Sequence, residues 1–195
     1  MSFPVLLDAC VLIPMPTADL MLRLAEAKQF RPLWSEEILD ETERNLISGL
    51  GLPPEKARSR VTTMRTYFPD AMVRNYEPLT NAMTNDPKDR HVLAAAVRSG
   101  AELIVTFNKK DFPSESVAPY DLDVRAPDDF LLDQLDLSPE SVTTAVHNLL
   151  HDAHHPPMTM DAYVEKLTGC GMPLFARSLA LELSRDRQRR PSASK

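Results

Sequence analysis

Cysteine is scarce in this chain: 195 residues hold two, Cys10 and Cys170. They match no metal-ligand spacing, so neither a disulfide framework nor a thiolate metal centre is expected. Long apolar runs are also missing, and the longest fall far short of the roughly 18 residues that a membrane span needs. No basic segment followed by a long apolar one opens the chain, which enters at once on Phe3-Pro4-Val5-Leu6-Leu7. No signal peptide and no membrane segment are therefore expected, and a cytoplasmic location with reduced thiols is the default. There is no internal repeat, and the only low-complexity stretch is the polar, basic tail Arg187–Lys195. What remains is an ordinary globular composition, 43% hydrophobic and 26% charged, which excludes a disordered chain. A domain of about 150 residues buries roughly 68–70% of its unfolded surface, so the chain can fold without covalent staples.

The net charge of −6 argues weakly against a polyanionic partner, but the charge is unevenly spread. Residues 1–43 carry net −5, residues 44–110 net +5, residues 111–186 net −10 and the tail 187–195 net +4. A basic middle can accommodate a nucleic acid where the total would not. A mixed solvated surface accounts for the same counts.

Apolar runs and helical periods alternate along the chain. Phe3–Leu7 reads as a buried strand that stops at Asp8. Thr17 can cap a helix carrying Leu20, Met21, Leu24 and Ala25 at helical spacing. Phe30–Trp34 is a second apolar segment, with Trp34 expected to pack in the core. Ser35 is an N-cap candidate followed by Glu36 and Glu37, which suit the positive end of a helix. Glu55–Tyr67 is a basic helix, and Ala71–Val73 a weak strand. Asp86-Pro87-Lys88-Asp89 opens another helix, with Asp86 as N-cap, Pro87 at N1 and Asp89 at N3, and Gly100 ends it. Leu103–Phe107 and Asp121–Arg125 read as strands, and Pro127-Asp128 as a helix start. The alternation predicts an α/β fold with a parallel sheet flanked by helices. From Ser138 on only helices are expected, with starts at Pro139, Thr159 and Pro173. The predicted organisation is an α/β domain over 1–137, a helical C-terminal extension over 138–186, and a basic tail over 187–195.

Ligands of open α/β sheets bind outside the carboxyl ends of the strands. Asp8 follows the first strand at once, and Asn108 and Asp111 follow Leu103–Phe107. Asp89 opens the helix before that strand, and Glu41 lies about two turns into the helix after the second. Carboxylates gathered in one pocket repel one another unless a cation neutralises them. An all-oxygen set selects a hard cation, Mg²⁺ or Mn²⁺, suited to phosphodiester hydrolysis. Each acid also has a plain reading: Asp8 and Asp111 as turn residues, Glu41 on a solvated face, Asp86 and Asp89 as helix starters.

Four segments add to this. Val5-Leu6-Leu7-Asp8-Ala9-Cys10-Val11-Leu12, Ser35-Glu36-Glu37-Ile38-Leu39-Asp40-Glu41, Asp86-Pro87-Lys88-Asp89-Arg90-His91-Val92-Leu93-Ala94-Ala95-Ala96 and Ile104-Val105-Thr106-Phe107-Asn108-Lys109-Lys110-Asp111-Phe112 stand in this order. Together they resemble the motifs of PIN-domain nucleases, closest to the bacterial branch that includes VapC-like toxins. The resemblance implies a three-layer PIN-like core. It also implies a Mg²⁺- or Mn²⁺-dependent endoribonuclease acting on RNA, leaving a 5′-phosphate and a 3′-hydroxyl. Family members are often homodimers and often silenced by an antitoxin protein. Residue by residue, the resemblance implies Asp8, Glu41, Asp89 and Asp111 as metal ligands. Asn108 stands where many relatives carry another Asp, and is expected to orient water or a ligand. Two other classes stay open: a non-catalytic PIN-like binding module, and a receiver or phosphoryl-transfer protein. Against the last, no second Asp stands two residues after Asp8.

Arg58 and Arg60 are the candidate phosphate contacts, which position a nucleic acid without reading its sequence. His147, His151, His154 and His155 fall mostly on one helix face, where i, i+4 spacing is zinc-compatible. No Cys is near them and Asp152 points elsewhere by spacing, so a solvated face is the expectation. Cys10 has no base placed to activate it and is expected to pack as a small side chain.

Overall fold

The computed structural model describes residues 3–153 and 157–189. In chain order the elements are β1 (Pro4–Leu7), α1 (Ala9–Leu12), α2 (Met15–Glu26), β2 (Arg31–Ser35), α3 (Glu36–Ser48), α4 (Pro54–Tyr67), β3 (Met72–Val73), α5 (Glu77–Thr80), α6 (Arg90–Ser99), β4 (Leu103–Val105), α7 (Ser114–Val117), β5 (Asp123–Arg125), α8 (Pro127–Leu137), α9 (Pro139–Asp152), α10 (Met160–Gly169) and α11 (Pro173–Arg189). Short 3₁₀ turns cover Pro69–Ala71, Lys109–Asp111 and Ala118–Tyr120.

The chain divides into two compact units, and the division is not a single cut. One unit contains residues 1–15 and 28–126, the other Pro16–Ala27 and everything from Pro127 on. The expected boundary at residue 137 falls within the second unit, between α8 and α9. The helix carrying Leu20, Met21 and Leu24 groups with the C-terminal helices, which local sequence pattern does not reveal.

In the first unit five parallel strands form one sheet in the order β3-β2-β1-β4-β5, flanked by helices. Val5, Leu6 and Leu7 are fully buried, as expected for a strand covered on both faces. In register, Leu6 stands opposite Leu33 on one side and Ile104 on the other, and Leu7 opposite Val105. Trp34 is fully buried and meets the Phe68 ring edge-on at 5.7 Å. Gly100 ends α6 at φ +63°, a left-handed conformation that glycine adopts at little cost.

Several sequence-derived boundaries shift for local reasons. β4 stops at Val105 because the Thr106 hydroxyl accepts the Asn108 N–H (3.0 Å) and turns the chain. β5 begins at Asp123 because Asp121 is left-handed (φ 54°) and closes the preceding 3₁₀ turn. Thr17 does not cap α2: the helix starts at Met15, and the buried Thr17 hydroxyl donates to the Met172 sulfur at 3.7 Å. The helix expected from Pro87 begins at Arg90, with Asp89 as its N-cap. Asp86 instead accepts the Lys88 N–H at 3.0 Å, and its carbonyl takes the Asp89 N–H at 2.9 Å. Aspartate side chains compete for the amide two residues on, and that competition holds Pro87–Asp89 in a turn.

The second unit contains no strand among its described residues. Tyr163 is fully buried, and its hydroxyl donates to the Pro16 carbonyl at 3.0 Å. Ser35 and Thr159 both act as N-caps, accepting the amides of Ile38 and Ala162 at 3.2 Å. Among the described residues no helix is long and apolar enough to cross a membrane.

Candidate functional site

The strand order reverses between β1 and β4, and their carboxyl ends frame the crevice where doubly wound sheets bind ligands. Asp8 leaves β1 there, 3% exposed, and its amide donates to the Val105 carbonyl of β4 at 3.1 Å. One carboxylate oxygen, Oδ2, accepts the Thr106 hydroxyl at 2.6 Å and the Cys10 thiol at 3.1 Å. Cys10 Sγ in turn accepts the Phe107 N–H at 3.3 Å. Burial, with the Asp8 charge beside it, pushes the Cys10 thiol up to about 12. It is therefore a neutral donor and not a nucleophile at physiological pH.

The other acids arrive from α3, from the turn before α6, and from the turn after β4. Glu41 and Asp89 are half-buried. Burial raises the Glu41 carboxyl first and the Asp8 charge raises it further, while His91 and Arg44 pull it back. Asp89 is pushed up to about 6 by burial and then by the charges of Asp8, Asp111, Asp86 and Glu41. The other three sequence-predicted acids, Asp8, Glu41 and Asp111, thus lie within electrostatic reach of Asp89, and Asp86 with them. Asp111 is tied in through its backbone, its carbonyl accepting the Asp86 N–H at 3.1 Å. Asn108 caps the turn that carries Asp111 and is exposed.

A hard divalent cation fits this donor set. Glu41 and Asp89 are both raised by burial and by neighbouring acids, and no cationic side chain hydrogen-bonds to Asp8 or Asp89 among the described residues. No three Asp, Glu, His or Cys side chains among the described residues form a ready-made cage. Mg²⁺ does not require one, because it keeps several waters and takes only one or two carboxylates directly.

The chain belongs to the PIN-domain family. The PIN domain model matches residues 4–110, more than half of the chain and the stretch that carries β1 to β4. The VapC50 C-terminal domain model matches residues 127–181, the greater part of the C-terminal helices. A protein of Mycobacterium tuberculosis (strain ATCC 25618 / H37Rv) named "Putative ribonuclease VapC50" is 45% identical over 106 residues, which is 54% of this chain and 62% of that protein. The C-terminal model and this relative both carry the VapC50 name, in line with the resemblance to the VapC-like branch. No solved structure matches significantly.

The remaining sequence candidates are placed differently from the acids. Arg58 is 73% exposed and faces Glu43 at 3.6 Å. Arg60, the other expected phosphate contact, is half-buried on α4. It donates to the carbonyls of Leu12 (2.6 Å) and Ile13 (3.2 Å), closing the end of α1 that opens at Asp8. His147 and His151 are exposed, while His154 and His155 lie outside the described residues. Asp152 does not point away as expected, since it meets His151 Nδ1 at 3.3 Å and Arg23 at 3.0 Å. Thr106 and His91 escaped the sequence reading. Each lies inside a quoted motif, but only the fold shows which acid it touches.

Proposed function

We propose that this PIN-domain chain is a metal-dependent endoribonuclease and the toxin of a toxin–antitoxin pair. The observation that carries the reading is the charge balance at the β1/β4 crevice. A buried Asp8 and an Asp89 raised to about 6 by burial and then by four neighbouring carboxylates form a site short of positive charge. Asp8, Glu41, Asp89 and Asp111 are the residues that would hold Mg²⁺ or Mn²⁺. Such a cation polarises a phosphodiester, assists ionisation of the attacking water and stabilises the departing oxygen.

The chain's own residues supply the rest. Thr106 and Cys10 occupy one oxygen of Asp8, which leaves Oδ1 free of any hydrogen bond given by those two side chains. Asn108, exposed at the mouth, is proposed to orient water or the phosphate. Arg58 is proposed as a phosphate contact. It lines a shallow groove of about 460 Å³ along α4 with Ser59, Thr62, Thr63, Thr66 and the exposed Tyr67. Arg60, which also holds the end of α1, is proposed as the second phosphate contact. RNA, an antitoxin protein and a second copy of the chain are the proposed partners.

The decisive experiment is cleavage of a mixed RNA panel with Mn²⁺, with and without a chelator, for the natural protein and Asp8→Asn. Cleavage that needs Mn²⁺ and falls by about 10²-fold or more in a folded Asp8→Asn protein is expected, since metal-centred charge stabilisation is worth several kcal/mol. RNA binding without cleavage at any Mn²⁺ concentration would favour the binding-module reading.

A further inference from the structure

His91 is the second residue of α6, two positions after Asp89, and is 7% exposed. Its two ring nitrogens face two carboxylates of α3. Nδ1 is 3.8 Å from Glu37 Oε2, and Nε2 is 3.8 Å from Glu41 Oε2. Glu37 and Glu41 are four apart and share one helix face, so the ring fits edge-on between consecutive turns. At 3.8 Å neither contact is a formed hydrogen bond. Nδ1 is nevertheless buried without a hydrogen-bond partner, an arrangement that favours closing the gap. The Glu37 side chain is 54% exposed and can move to close it. Its Oε2 already accepts the Tyr76 hydroxyl at 3.3 Å, and Tyr76 is itself buried.

The row therefore runs Tyr76, Glu37, His91, Glu41. Each ring edge faces a carboxylate, the geometry of a donor to acids. We propose that His91 is a positioning residue for Glu41: the ring, oriented by Glu37 and Tyr76, holds the Glu41 carboxylate toward the acidic cluster. One helix start then carries both Asp89 and the group that aims Glu41, so the second and third acids are set together. Outer partners of this kind fix the orientation of ligating carboxylates, and losing one costs metal affinity without removing a ligand. The Glu41 contact needs an N–H at Nε2, which the imidazolium and the Nε2–H imidazole both provide, whereas donation to Glu37 and Glu41 together takes the imidazolium.

This inference rests on Glu41 being a metal ligand, and the test separates the two ideas. Mn²⁺ affinity is measured from the rise in melting temperature as Mn²⁺ is added, for the full chain and for His91→Ala, His91→Gln, Glu37→Gln and Glu41→Gln. Single-turnover RNA cleavage is measured alongside. His91→Ala is expected to weaken Mn²⁺ binding by about 10- to 100-fold. Glu37→Gln should weaken it less, and His91→Gln, whose amide N–H can reach Glu41, should recover part of the loss. Adding His91→Ala to Glu41→Gln should change nothing further. If Glu41→Gln abolishes the Mn²⁺ response while His91→Ala and Glu37→Gln retain it in full, the positioning role is overturned and the metal site stands. If Glu41→Gln itself binds Mn²⁺ normally, the metal-site reading of Glu41 has failed. Should His91→Ala not fold, the Glu37→Gln and His91→Gln affinities decide, and full affinity in both overturns the proposal.

Discussion

Each unit of the molecule buries an aspartate that opens a helix, and the two are handled in opposite ways. Asp128, at the start of α8, is 8% exposed and accepts the backbone amides of Leu174 (3.1 Å) and Phe175 (2.8 Å) at the start of α11. Those amides have no partner inside their own helix, and the carboxylate also meets the positive end of the helix dipole. Both oxygens are satisfied by donors that need no further ligand. Asp8 is 3% exposed, accepts two side-chain donors on the same oxygen, and stands among other acids that it raises. Burial alone thus says little about the purpose of a carboxylate. The donors and neighbouring charges separate a structural aspartate from the one proposed to hold a cation.

The largest expected break in this comparison comes from Asp89→Asn, which should cut cleavage by about 10²-fold or more while raising the stability of the metal-free protein. The folded-state carboxyl sits near 6, above its ordinary 3.8. The stability linked to its neutral form is whole below 3.8 and is lost as pH rises through about 6. The variant should therefore melt above the natural protein at pH 7, and the gap should shrink as pH falls toward 4. A gap independent of pH would remove Asp89 from the cluster. Mn²⁺ should reverse the order at pH 7, because it stabilises only the protein that binds it.

Asp128→Ala should leave the acid cluster intact and reduce stability by about 2–3 kcal/mol, from the loss of two charge-assisted hydrogen bonds with their amides left buried. The urea midpoint measures the loss. Cleavage by the folded fraction should fall far less than in Asp89→Asn. A cleavage loss as large as that of Asp89→Asn would mean that this carboxylate is not purely structural.

The sequence made the sheet legible because parallel strands buried on both faces leave short apolar runs, and β1 and β4 end where polar residues begin. Asp8, Asp89 and Asp111 could be singled out for the same reason, because each stands where such a run stops or a helix opens, whereas Glu41, inside α3, was marked by its motif. Ser35 and Thr159 could be read as caps because capping is local. What could not be read depends on distant contacts. Thr106 reaches Asp8 across 98 residues, and Arg60 reaches Leu12 across 48. α2 groups with helices more than 100 residues away. Composition hid the same point for charge: the basic segment around Arg58 and Arg60 held one exposed arginine and one tied to backbone.

The smallest expected effect concerns Asp86 and sharpens the distinction between a structural acid and a cluster acid within a single turn. Asp86 does two separable things. Its Oδ1 accepts the Lys88 N–H, which holds the turn before α6, and its charge helps to raise Asp89. Asparagine keeps the first and removes the second, because an amide oxygen accepts the same hydrogen bond without a charge. Asp86→Asn should then leave the urea midpoint nearly unchanged and lower the Asp89 titration from about 6, as followed by carboxyl-carbon NMR. The drop should be modest, since burial, Asp8 and Asp111 all rank above Asp86 among the causes of the shift. Asp86→Ala should lower Asp89 by a similar amount and also cost about 1 kcal/mol, the usual loss when a side-chain acceptor of a backbone amide is removed. If Asp86→Asn abolished cleavage while Asp89→Asn kept it, the metal-holding role would pass from Asp89 to Asp86, and the turn between them would have to be read the other way round.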